Sequence, residues 1–130
     1  MVDSALILIA ERDLRVREFQ QYFLERTGLS VEFADDGAAA LEKAELRQPA
    51  LVVAEILLPK IDGLALCRQL HANPLTSHIP VIIFSLLAAA ARASEAGAVA
   101  FLRKPLVESV FVGAVRAAMA QPTTAQLESQ

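Results

Sequence analysis

The chain has 130 residues, 55% hydrophobic and 21% charged, with 12 basic against 15 acidic side chains for a formal charge of −3. That size fits one domain with a real core and excludes a disordered or collagen-like chain. Charged or turn residues interrupt every apolar run well short of the roughly 18 residues that cross a bilayer. The near-balanced charge gives no electrostatic footprint for nucleic acid or an anionic membrane. The single cysteine, Cys67, has no internal partner, which points to a reducing compartment and so to the cytoplasm. Asp3 stands where an export signal would be basic, so secretion is not expected.

In chain order, the first strand-length apolar run is Ala5–Ala10. Asp13, an N-cap type, then opens a helix that Gly28 closes, with Val16, Phe19 and Phe23 turned inward. Val31–Ala34 is the second strand; Asp35-Asp36-Gly37 forms a turn and cap before a helix over Ala38–Arg47. Leu51–Ala54 is the third strand. Asp62 is a turn residue ahead of a helix over Leu64–Ala72, which carries Leu66, Cys67 and Leu70 on one side. Val81–Phe84 is the fourth strand, before an Ala-rich helix over Leu87–Ala96 that ends at Gly97. Val99–Leu102 is the fifth. Val107, Val110, Phe111, Ala114, Val115, Ala118 and Met119 recur at three and four in the last helix. Five strands alternating with five helices predict an α/β, doubly wound parallel sheet of order 2-1-3-4-5, a flavodoxin-like architecture. The domain should span residues 1–120, with a polar tail or linker start over 121–130.

Ligands of such sheets sit beyond the carboxyl ends of the strands, at the switch point between the first and third. Glu11, Arg12, Glu55, Ser85 and Lys104 occupy those ends. Two carboxylates, a guanidinium, a hydroxyl and an ammonium should therefore converge on one crevice. A flavin-type phosphate loop after the first strand would need Ser, Thr or Gly, whereas Glu11-Arg12-Asp13 is charged, which argues against a cofactor-binding enzyme. His71 and His78 lack a further ligand at metal spacing, and Cys67 fits a small buried hydrophobe better than a reactive thiol. Phosphate-binding Gly-rich motifs and a Ser/His/Asp set are absent.

The stretches Leu6–Ile9 into Glu11-Arg12-Asp13, Ala34–Gly37, Pro49–Gly63, Ile79–Ser85, Glu95–Ala98 and Phe101–Leu106 are individually weak. In this order and spacing they resemble the CheY-like receiver domain of response regulators. The resemblance implies an Asp after the third strand that accepts a phosphoryl group and an acidic pair after the first that helps hold Mg²⁺. It also implies a Ser or Thr and a Lys that bind the phosphoryl oxygens. Ser85 and Lys104 match, and Pro105 matches a position whose preceding peptide is usually cis. Asp62-Gly63 match the turn after the acceptor loop. The acceptor position is Glu55, the acidic pair is Glu11-Arg12, and the switch aromatic is Phe101, without a hydroxyl. Leu86 stands where a small residue is usual and would crowd the phosphoryl entrance.

With Arg12 in the pocket, its formal charges sum to zero. A fixed cation about 4 Å from a divalent ion costs roughly 4 kcal/mol per unit charge at an effective dielectric near 20. Mg²⁺ binding is therefore expected to be lost and no metal ligands are assigned. Glu55 reaches one methylene further than Asp and carries −1 against about −1.5 to −2 for a phosphoryl group. It either biases the domain toward an active-like form or locks one state. The expected function is that of a pseudo-receiver: a non-enzymatic, phosphorylation-independent interaction module. Its partner would be another signalling protein, a histidine kinase or an effector domain, without direct contact to nucleic acid or membrane. The alternative is a receiver phosphorylated by a histidine kinase at an unusual carboxylate. The stretch from Ser85 to Lys104 is about one turn shorter than in the family, and Ala100 replaces an Asp that many DNA-binding relatives use in a dimer salt bridge. That dimer is not expected here. Leu86 and Leu87 either cap the core or form an exposed contact patch.

Overall fold

Strands and helices alternate along the chain as β1 (Leu6–Ala10), α1 (Leu14–Glu25), β2 (Ser30–Ala34), α2 (Gly37–Arg47), β3 (Leu51–Ala54), α3 (Gly63–Ala72), β4 (Val81–Ser85), α4 (Ala90–Glu95), β5 (Ala100–Arg103) and α5 (Glu108–Ala120). This computed structural model describes residues 4–120. Asp3 and the tail at 121–130 lie outside the described residues. The strands form one parallel sheet of order β2-β1-β3-β4-β5, as the alternation predicts. β3 lies at its centre, which is why Leu51, Val52, Val53 and Ala54 are all apolar and buried.

Successive strand residues face opposite sides, so the core is two slabs divided by the sheet. One slab packs Leu8, Val52, Ile83, Leu66, Cys67 and Leu70 beneath α2, α3 and α4. The other packs Ile7, Val53, Phe84, Phe111 and Val115 beneath α1 and α5. Asp13, Asp36 and Asp62 cap α1, α2 and α3 through bonds accepted from backbone N–H groups. The cap expected within Asp35-Asp36-Gly37 is Asp36, and Asp62, read as a turn residue, is an N-cap as well. Two glycines allow backbone to approach backbone. A Cβ on Gly37 would lie 1.9 Å from the Ile61 carbonyl oxygen, and one on Gly63 would lie 2.1 Å from that of Glu55.

Three local expectations need correction. Phe19 is 56% exposed rather than inward; the buried stripe of α1 runs through Val16, Gln20, Phe23 and Leu24. A fully buried Gln20 hides that stripe from apolar spacing. Val107 and Val110 are likewise exposed, at 51% and 55%, so the inward face of α5 is Phe111, Val115 and Ala118. Helix α4 has only six residues, not the span from Leu87 to Ala96. Its N-cap, Ala89, makes no side-chain cap bond, and the Leu87 N–H is taken by the Ser85 hydroxyl at 3.3 Å. The two readings of the neighbouring leucines divide between them: Leu87 packs against the core, while Leu86 is 62% exposed.

Candidate functional site

Each residue of the cleft follows or ends a strand. Glu11 comes directly after β1 and is almost wholly buried. Its Oε2 accepts the backbone N–H groups of Arg12 and Asp13, each at 3.1 Å, which folds the carboxylate onto its own loop. Glu55 follows β3, and its N–H continues the ladder to the Ala10 carbonyl at 3.0 Å. Its Oε1 accepts the Ser85 hydroxyl at 2.7 Å and the Leu57 N–H at 3.1 Å. Ser85 ends β4 and is fully buried. Lys104 follows β5, its N–H donating to the Ser85 carbonyl at 2.9 Å, and the Lys104–Pro105 peptide is cis.

Lys104 joins the two acids. Its Nζ donates to Glu11 Oε2 at 3.1 Å and lies 3.0 Å from Glu11 Oε1 and 3.2 Å from Glu55 Oε2. Those last two oxygens are buried and have no aligned hydrogen bond, so the ammonium is their compensation. The Phe84 ring lies 5.4 Å from the same nitrogen. Burial pushes the Lys104 pKa down, but the hydrogen bond it donates to Glu11 and the charges of Glu11 and Glu55 outweigh it and raise the value.

Glu11, Glu55, Ser85 and Lys104 come together, but Arg12 does not join them. Its side chain is exposed, and among the described residues its guanidinium enters no ion pair. The expected neutral pocket is therefore two carboxylates against one ammonium, a formal charge of −1. Lys104 alone compensates both acids, and the positive charge expected from Arg12 is absent from the cleft. Phe101 is half-buried against the slab beneath α2, α3 and α4. Pro105 is exposed. Cys67 is buried, and burial pushes its thiol up to about 11, which keeps it protonated and unreactive.

A receiver fold implies Mg²⁺, a hard cation that asks for near-octahedral oxygen ligation. The cleft offers one acid after β1 where that chemistry wants two, and its Oε2 already serves three N–H donors. An ammonium lies between that acid and Glu55. This donor set does not fit a resident divalent ion.

Arg17 is a positioning residue that sequence spacing did not single out. Its Nε donates to the Glu11 carbonyl at 2.5 Å, and one terminal nitrogen donates to the Ala34 carbonyl at 3.1 Å and to Asp35 at 2.7 Å. The guanidinium also stacks 5.0 Å from the centre of the Phe33 ring. It thereby ties the loop carrying Glu11 to the end of β2. The available signal was a cation near the N-terminus of a helix, where the macrodipole disfavours one.

Comparisons with known proteins agree with this fold. The response regulator receiver domain family matches residues 7–116, and the chain belongs to that family. The transcriptional regulatory protein CseB of Streptomyces coelicolor is 34% identical over 122 residues, covering 92% of this chain and 51% of CseB. The chain thus spans about half the length of that relative. A crystal structure from Chloroflexus aurantiacus superposes with a TM-score of 0.86 at 30% identity, covering 91% of this chain and 99% of the other. The signal receiver domain of a signal transduction histidine kinase from Syntrophus aciditrophicus gives a TM-score of 0.83 at 32% identity, covering 90% of this chain and 91% of that one.

Proposed function

We propose that this receiver domain is a pseudo-receiver: an interaction module of a two-component system that works without phosphorylation and without a divalent cation. The observation that carries this is the state of Glu55. Its carboxylate stands at the acceptor position and already engages Ser85 and Lys104, the two side chains that would bind phosphoryl oxygens. The extra methylene of Glu over Asp gives the reach for both contacts. The carboxylate carries −1 rather than about −1.5 to −2, so it supplies the contacts of a phosphoryl group with part of its charge. The remaining acid, Glu11, is turned into its own loop and onto the same ammonium.

The domain then acts by binding rather than by group transfer, its partner a histidine kinase or an effector domain. The transcriptional regulators among its relatives favour the effector. Among the described residues no helix is long and apolar enough to cross a membrane, and membrane contact forms no part of this function.

Incubation with acetyl phosphate and Mg²⁺, followed by intact-mass measurement, tests the reading. No phosphoryl adduct is expected. A stable adduct on the wild-type chain overturns it. Glu55→Asp is expected to stay unmodified as well, because the second acid after β1 is still missing; Mg²⁺-dependent labelling of that variant refutes the account of the metal.

A further inference from the structure

Helix α1 is seated on the sheet by little apolar surface. Of its 12 residues only Gln20 and Leu24 are buried, whereas α3 buries Gly63, Leu64, Leu66, Cys67 and Leu70. Val16 and Phe23 pack half-buried against the slab beneath α1 and α5, while Leu14, Phe19 and Tyr22 point largely to solvent. Gln20 works against the seating. Its side chain is wholly buried, and among the described residues neither its amide nitrogen nor its amide oxygen has a hydrogen-bond partner. A buried amide in that state destabilises the packing that keeps it from water, and it regains its hydrogen bonds when the helix lifts.

Polar contacts at its first turns hold α1 down. Asp13 caps the helix. Arg17, with a side chain only 15% exposed, donates to the Glu11 carbonyl, the Ala34 carbonyl and Asp35. The loop thus tied also carries the Arg12 and Asp13 N–H groups that donate to Glu11 Oε2, the oxygen that accepts from Lys104. Lifting α1 takes Arg17 away from this loop, so the backbone that seats Glu11 loses its outer tie. Glu55 and Ser85 sit on β3 and β4 and have no such dependence on α1.

We infer that α1 is an opening element built into the fold: it lifts from the sheet ahead of global unfolding and, through Arg17, releases the loop that seats Glu11 in the cleft. The orphaned amide of Gln20 sets how often it opens. Glu11 is then the movable wall of the cleft, and Glu55 with Ser85 the fixed one. This goes beyond the proposed function, because nothing in it depends on whether Glu55 accepts a phosphoryl group.

Native-state hydrogen exchange, read residue by residue with neither phosphodonor nor Mg²⁺ present, tests it. In the wild-type chain, and after correction for intrinsic rates, the amides from Phe19 to Leu24 are expected to exchange about a hundredfold or more faster than those of Val52 and Val53 in β3. Gln20→Met keeps the length of the side chain and removes the orphaned groups. It should slow exchange across α1 by about tenfold, and the Arg12 and Asp13 amides should slow with it. Arg17→Met should quicken both sets by a similar factor. Equal protection of α1 and β3 in the wild type overturns the inference. So does unchanged α1 exchange in Gln20→Met, or a change in α1 that Arg12 and Asp13 do not follow. The wild-type comparison and Arg17→Met decide the matter even where Gln20→Met does not fold. A phosphoryl adduct in the separate mass experiment strikes the proposed function and leaves these readings untouched.

Discussion

Lys104 is the counter-charge on which the cleft depends. Taking it away strands two buried carboxylates, whereas neutralising Glu55 leaves one matched pair. Lys104→Met is therefore expected to cost about 3–5 kcal/mol in urea unfolding, and Glu55→Gln less than about 1 kcal/mol. The pH dependence follows from the direction of the Lys104 shift. A pKa raised in the folded state gives stability that is complete below the ordinary value of 10.5 and is lost as pH climbs through the raised value. The wild-type urea midpoint should fall with rising pH in that alkaline range, and Lys104→Met should lack this component. All four cleft residues were legible in sequence because a polar group at or directly after the end of a buried strand lies at the carboxyl end of the sheet. Arg12 was misplaced because adjacency in the chain does not give side-chain direction. The loop turns Glu11 inward onto backbone N–H groups, and Arg12 outward.

At the level of elements, the caps at Asp13 and Asp36 were visible as residue types that stop a strand and start a helix, whereas Asp62 reads only as a turn residue. The α3 start carries a second constraint that composition does not reveal, because Gly63 lies against the Glu55 backbone. Asp62→Ala removes one cap bond and should cost about 1 kcal/mol. Gly63→Ala must displace a carbonyl within the acceptor loop and should cost more, about 1–3 kcal/mol or above. Chemical denaturation of the two variants side by side checks the order; equal costs would refute the close approach. Alanine propensity suggests a ten-residue α4, but the helix begins only at Ala90, behind an Ala89 that offers no side-chain cap. In α1, a buried amide at Gln20 occupies the place where periodicity looks for an apolar side chain.

For the molecule as a whole, the sheet divides the core, and the alternation of strands and helices was enough to foresee it. Substitutions on opposite sides should be energetically independent. Ile79→Val lies in the slab beneath α2, α3 and α4, and Val115→Ala in the other. Their costs in urea should add to within about 0.5 kcal/mol, and a larger coupling in a double-mutant cycle would show that the slabs communicate. Independence of this kind has a meaning for descent. Helices α2, α3 and α4 stand over one compartment, while α1 and α5 stand over the other. A lineage can rewrite the outer faces of those two helices, and so change allegiance there, while the opposite flank keeps its shape.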